Sequence, residues 1–213
     1  MKHKTILLYC GILSSLLYII TDIVAAAAWS DYNMTSQTVS ELIAIDSPTR
    51  FFVVICFLVY ALLVYAFGVG TWHFASGKKS LKIAAILIIG KEILGLIVTL
   101  FFPIHLRGVE ANYSDTMHGI LTASGVFLFM FPAMIAGSIA FRGIFRIYSI
   151  FTMALFVIFG ILAGSMQPLY VDNLPTPMMG IWERINIYGY MVWIVIFSIK
   201  LLKSVKEYSG NKC

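Results

Sequence analysis

Six apolar runs, each of roughly 20 residues and separated by short polar loops, occupy most of the 213-residue chain. A hydrocarbon core about 30 Å thick is crossed by about 20 apolar residues of α-helix. Lipid offers backbone N–H and C=O groups no partners, so each run must satisfy its own hydrogen bonds as a helix. The expected fold is therefore all-α: a polytopic membrane protein, one six-transmembrane-helix bundle over residues 1–213, with spans near 5–28, 51–74, 82–102, 115–141, 147–169 and 180–202. Composition agrees, at 60% hydrophobic and only 12% charged. A soluble domain of this size has no interior large enough for so much apolar surface.

The formal charge of +5 would suggest a nucleic-acid partner in a soluble chain. Topology explains it instead. Lys2, Lys4, Lys78, Lys79, Lys82, Arg142, Arg146, Lys200, Lys203, Lys206 and Lys212 fall on one side of the spans, whereas Arg50, Arg107 and Arg184 fall on the other and Lys91 lies between. The positive-inside rule then places both termini in the cytoplasm of a multi-pass cell-membrane protein. The opposite surface carries Asp31, Glu41, Asp46, Glu110, Asp115, Asp172 and Glu183. Its acidic balance argues against nucleic acid or anionic headgroups there.

The first run follows Lys2-His3-Lys4 and ends in four alanines, as a signal peptide does, but it exceeds a signal h-region of about 7–15 residues and reads as an uncleaved span. Cys10, Cys56 and Cys213 form no disulfide framework or metal-type spacing, and Cys213 lacks a prenylation box. Asn33-Met34-Thr35 and Asn112-Tyr113-Ser114 match the glycosylation triplet, yet each lies too near a span end for a glycosylating enzyme to be expected there.

Charges within hydrocarbon cost several kcal/mol, which makes Asp22, Lys91 and Glu92 the informative positions. On the first span Gly11, Ser14, Ser15, Tyr18 and Asp22 form one small-polar stripe; it reads as a packing seam except for its terminal acid. Lys91 and Glu92 point about 100° apart on a helix, so each is expected to find its partner on a neighbouring helix, Lys91 reaching toward Asp22. Glu183-Arg184 opens the sixth span, with Arg184 expected to pair with Glu41 or Asp46 of the first loop.

Asp115 and His118 share a face at the start of the fourth span, with Thr122 and Gly125 below them. With His105 they are the residues that would ligate a divalent metal with an open water position. The competing reading is a helix cap made by Ser114 and Asp115, and no metal is assigned. In the loop 30–50, Val39, Leu42 and Ile43 fall on one face while Ser40 and Glu41 point elsewhere, so a short helix capped by Thr35 or Ser36 is expected over the bundle mouth, as a lid or an interfacial anchor. Pro132 is expected to kink the fourth span and free a carbonyl near its middle.

Ser40-Glu41-Leu42 followed by Pro48, Phe102-Pro103, His118-Gly119 and Glu183-Arg184, within a six-span layout, resemble the bacterial and archaeal family named domain of unknown function 998. The order of loop and outer-end histidine is also loosely similar to the eukaryotic damage-regulated autophagy modulator group. The resemblance implies the six-span fold and a grouping of Ser40, Glu41, His118, Glu183 and Arg184 at one mouth; it implies no activity. Where that family tends to place an acid after the Phe-Pro pair, this chain has His105.

The reading that follows is a non-enzymatic bundle whose extracytoplasmic half holds a polar pocket for a lipid headgroup or small ligand, lined by Asp22, Ser40, Glu41, Lys91, Glu92, His105, Asp115, His118, Glu183 and Arg184. Membrane lipid is the expected partner; no cofactor is assigned, and oligomeric state is not legible. The alternatives are a metal-dependent intramembrane hydrolase of lipid amides using His105, Asp115 and His118, a proton-coupled carrier using Asp22, Lys91 and Glu92, and a membrane assembly subunit. The carrier reading lacks a visible repeat between the two halves.

Overall fold

The computed structural model describes residues 2–210, with side chains over 5–205. The side chains of Lys2, Lys4 and Lys206, and all of Lys212 and Cys213, lie outside the described residues. Among those described there are helices and loops and no strand. Six helical stretches are long and apolar enough to cross a membrane. The first three are α1 (Lys2–Ala28), α2 (Arg50–Phe74) and α3 (Lys79–Phe101). The fourth is composite: α4 (Tyr113–Ser124), a π-helical segment (Gly125–Met130) and α5 (Phe131–Ala140). The fifth joins α6 (Ile144–Ser165) to the short α7 (Gln167–Val171), and the sixth is α8 (Met179–Gly210).

Each span packs on its sequence neighbours, α1 on α2, α2 on α3, α3 on α5, α5 on α6 and α6 on α8, and α8 closes the ring against α1. With an even number of spans, the starts of α1 and the end of α8 share one end of the bundle. The other end, here termed distal, carries the long first loop.

The half nearer the termini is filled by aromatic rings. Trp193 and Phe197 are fully buried, their centroids 4.9 Å apart, and Phe145 stacks on Phe197 at 5.8 Å. The Trp193 indole N–H, which needs a partner in an apolar interior, donates to Ser149 Oγ at 2.9 Å. Gly137 lets this ring lie against α5, since a Cβ there would stand 2.9 Å from it. Outward faces such as Ile147, Ile150, Phe151, Ile158 and Ile161 of α6 remain exposed and apolar, as a lipid-facing helix requires. The seam on α1 also holds: Ser14 and Ser15 return their hydroxyls to the Gly11 carbonyl at 3.0 Å, and a Cβ at Gly11 would crowd Ser198 and Phe67.

The first loop is ordered by its own side chains. Asn33 Oδ1 accepts from Thr35 N at 2.8 Å, so this asparagine is occupied as a turn former. The expected short helix is a 3-10 turn over Val39–Ile43, capped by Thr38 rather than by Thr35 or Ser36. Thr38 and Glu41 form a reciprocal capping box, so Glu41 is drawn inward and is fully buried, against the expectation that it points away from the apolar face. Likewise Asn112, not Ser114, caps α4, and Asp115 takes the third position of the box.

Pro132 has the foreseen effect by another geometry. It lacks the N–H that would continue the α ladder, and the chain absorbs the break as a π turn over Gly125–Met130 instead of a simple kink.

The loop is strapped to the start of α8, where the Thr35 carbonyl accepts from Gly180 N at 3.0 Å and Ile181 N at 3.2 Å. A Cβ at Gly180 would collide with the carbonyl oxygens of Gln37 and Met34. Backbone atoms cannot rotate aside, so Gly180→Ala is expected to cost about 1–3 kcal/mol, whereas Gly119→Ala, which meets open space in a helix, is expected to be neutral or up to about 1 kcal/mol stabilising. Thermal unfolding of the two variants in detergent, followed by tryptophan fluorescence, checks the contrast.

Candidate functional site

Two arginine forks build the distal end. Asp22 lies six residues before the end of α1, about 9 Å along the helix, and is fully buried. Its carboxylate accepts a bidentate pair from Arg184 of α8, Nε to Oδ2 and Nη2 to Oδ1, both at 2.9 Å. Tyr188, one turn further along α8, donates to Oδ2 as well. The rest of the guanidinium faces the first loop. Nη1 donates to the carbonyls of Met34 (2.9 Å), Gln37 (2.8 Å) and Gly180 (3.2 Å), and Nη2 donates to the Tyr32 hydroxyl at 2.6 Å. All five N–H bonds are thereby used. Tyr32 in turn donates to Thr38 O at 2.6 Å, and burial drives its phenol above the ordinary range. The expected pairs Asp22–Lys91 and Arg184–Glu41 or Arg184–Asp46 are thus replaced by Asp22–Arg184. A planar fork matches a carboxylate in two bonds, and a single ammonium does not.

Glu41 belongs to a second fork. Arg107, from the loop between α3 and α4, donates through Nε to Oε1 at 2.6 Å and through Nη2 to Oε2 at 3.0 Å. Its Nη1 reaches Thr176 Oγ1 at 2.8 Å, and its plane lies over the Tyr170 ring with a centroid distance of 5.1 Å. Burial works against the Arg107 charge, but the bond to Glu41 and the attraction of that carboxylate outweigh it and hold the group more firmly protonated.

Between these forks and the aromatic half lies a cavity of about 200 Å³. Its walls come from α1, α2, α3, the upper fourth span and α8, roofed by the 3-10 turn. Most of the lining is apolar, with Phe57, Leu94, Val98, Leu121 and Met191 among it; the polar members include Ser40, Lys91, Glu92, His118, Glu183 and Asn186. Glu183 accepts from Val39 N at 2.6 Å, which locks the roof to α8. Lys91 and Glu92 pair with each other at 3.4 Å, contrary to the expectation that the helix would hold them apart. The flexible lysine stem bends around the turn, and the ammonium also lies 5.6 Å from the Tyr190 ring centroid. Asn186 Oδ1 is buried without a hydrogen-bond partner, a costly arrangement that marks a place for a donor.

His118 faces the same cavity. Its Nδ1 lies 2.8 Å from the Phe102 carbonyl and its Nε2 lies 3.0 Å from Ser40 Oγ. His105 is held elsewhere: Asp115 takes its backbone N–H at 2.7 Å and its Nδ1 at 2.9 Å, forming a clasp over the start of α4. The conceived His105–Asp115–His118 ligand set is therefore divided between two sites. Among the described residues no group of three or more histidine, cysteine or acidic side chains gathers as a metal site would need.

Of the ten residues anticipated for the pocket, Ser40, Lys91, Glu92, His118 and Glu183 line it. Asp22, Glu41 and Arg184 form the frame around it, and His105 and Asp115 make the outer clasp. Sequence reasoning missed Arg107, Tyr32, Thr176 and Asn186. An arginine in a short loop facing a surplus of acids was the available signal for Arg107; nothing local distinguishes Asn186.

The two forks differ in depth, Arg184 being 7% exposed in its side chain and Arg107 25%. Asp22→Ala leaves the Arg184 guanidinium buried and uncompensated, with an expected loss of about 3–5 kcal/mol. Arg107→Ala is expected to cost less, because Glu41 keeps the backbone N–H and hydroxyl of Thr38. Unfolding midpoints of both variants in one detergent test this order.

No curated protein and no solved structure matches the chain. A family model does, over residues 12–200, which include all the cavity-lining residues and both arginine forks. The chain belongs to the family described as Protein of unknown function (DUF998), and its six apolar helices make it an integral membrane protein.

Proposed function

We propose that the protein binds a membrane amphiphile, placing its headgroup in the distal cavity and its chain toward the bilayer. The observation that carries this reading is a chamber inside the bundle that combines an apolar wall with Lys91, Glu92, His118 and an unpartnered Asn186 carbonyl. Ligand pockets have this constitution, mostly apolar with a few polar groups that fix orientation. A volume of about 200 Å³ suits a headgroup and the first atoms of a chain rather than a whole lipid. The remainder of the chain has an exit. Upper α4 packs on α3 and the π segment without extensive packing on α6 or α8, and Thr122, on the cavity wall, is exposed. A headgroup that donates one hydrogen bond, to Asn186, and accepts another, from Lys91, fits these partners.

The four readings set out from sequence make different demands. Ion-coupled transport needs its charges unpaired along a path, and here Asp22 is sealed by Arg184 and Tyr188. Amphiphile binding needs no more than the chamber and its opening.

Native mass spectrometry of gently purified protein is expected to detect a bound lipid or lipid-like molecule. Thr122→Trp, an exposed position at the opening, and Asn186→Leu are expected to lower its retention about tenfold, the equivalent of about 1.4 kcal/mol. Protein free of amphiphile, or variants that retain it as well as the parent, would refute the proposal.

A further inference from the structure

Within the amphiphile-binding reading, on which this inference rests, we infer that Ser40 and His118 are a nucleophile and general base that cleave a carboxylic ester of the bound molecule. The proton positions follow from the partners. A carbonyl oxygen only accepts, so the His118 nitrogen facing Phe102 O at 2.8 Å carries the hydrogen. The other nitrogen of the neutral ring then has a lone pair, and it lies 3.0 Å from Ser40 Oγ. The serine O–H donates to it. Nucleophile, base and a third group orienting the base are the arrangement that activates a serine, and both side chains face the chamber.

The pair is held in place from both sides. Val39, before Ser40, is fixed by its N–H to Glu183 at 2.6 Å, and Glu41, after it, is fixed by the Arg107 fork. Ser40 and His118 come from segments 78 residues apart, so a simple tie between loop and helix explains their contact but not their exposure to an apolar chamber with an unpartnered acceptor. A backbone carbonyl behind the histidine sets its tautomer without adding the negative charge that a carboxylate supplies to an imidazolium. That favours an ester, with its easily displaced alcohol, over an amide.

The step balances without a cofactor. Ser40 Oγ bonds to the acyl carbon while its proton passes to His118 Nε2; the carbon–alcohol bond breaks, and the departing oxygen takes that proton. Water then repeats the sequence on the acyl-serine and releases a carboxylic acid and free serine.

An alkyl fluorophosphonate, which bonds to activated serine oxygen with loss of fluoride, is the probe, applied to the full chain in its membrane. Peptide mass spectrometry is expected to find the adduct on Ser40, Ser40→Ala to abolish it, and His118→Gln to slow it about 100-fold or more. Ser40→Cys, nearly isosteric, is expected to react with a membrane-soluble thiol reagent faster than Cys10 and Cys56 of the same molecule. An unlabelled Ser40, labelling that ignores His118→Gln, or a Ser40→Cys thiol no faster than those two would overturn the inference. Retention of amphiphile by Ser40→Ala, read by native mass spectrometry, tells that outcome from failure of the binding reading itself.

Discussion

A carboxylate sealed inside hydrocarbon requires a partner that meets both of its oxygens, and the Asp22–Arg184 fork is the contact on which the distal half depends. Neither charge is tolerable alone, because removing one leaves the other buried at a cost of several kcal/mol. The pair joins the first span to the last and so closes the ring of helices. The unused face of the guanidinium then becomes a template of donors, and the Met34 and Gln37 carbonyls of the first loop together with Tyr32 are drawn onto it. The loop between α1 and α2, residues 29–49, is thereby folded over the bundle, and Tyr32 carries the same contacts on to Thr38, the cap of the 3-10 turn bearing Ser40.

Much of the fold was legible because the bilayer allows so few solutions. Span number, approximate ends, the α1 seam and the interruption at Pro132 all follow from hydrophobic run length and from the chemistry of glycine, serine and proline. The partners of the charges were not legible in the same way. Which acid meets Arg184 depends on where the loop crosses α8, and that crossing is set by the close approach at Gly180, a contact between residues about 145 apart. Helix periodicity put Asp115 and His118 on one face, yet His105 captured the first and Ser40 the second. Adjacent residues on α3 paired in spite of their angular separation, because the long lysine stem that could reach toward Asp22 can equally bend back to Glu92 once Arg184 has taken Asp22.

The division of the bundle into a polar distal half and an aromatic proximal half has a common origin in desolvation. Rings such as Trp193, Phe197 and Phe145 fill space closely and ask for at most one hydrogen bond, so the helices near the termini can approach. Distally, charged groups need fixed partners at fixed angles, and the helices stand where those partners are rather than where packing would be densest. The space left between the two regimes is the cavity.

One wall of that cavity is held differently from the others. The other walls are fixed by packing of each span on its neighbours, and the roof by two arginine forks and the Glu183–Val39 bond. Upper α4 rests on α3, on the π turn beneath it and on the His105–Asp115 clasp above. A π turn carries one more residue per cycle than the α ladder sustains, and such segments are where helices bend or rewind with least disturbance. Outward displacement of a cavity wall is therefore least opposed at α4, with the π segment Gly125–Met130 beneath it. His118 sits on α4 and Ser40 on the roof, so any outward displacement of α4 would part the two side chains.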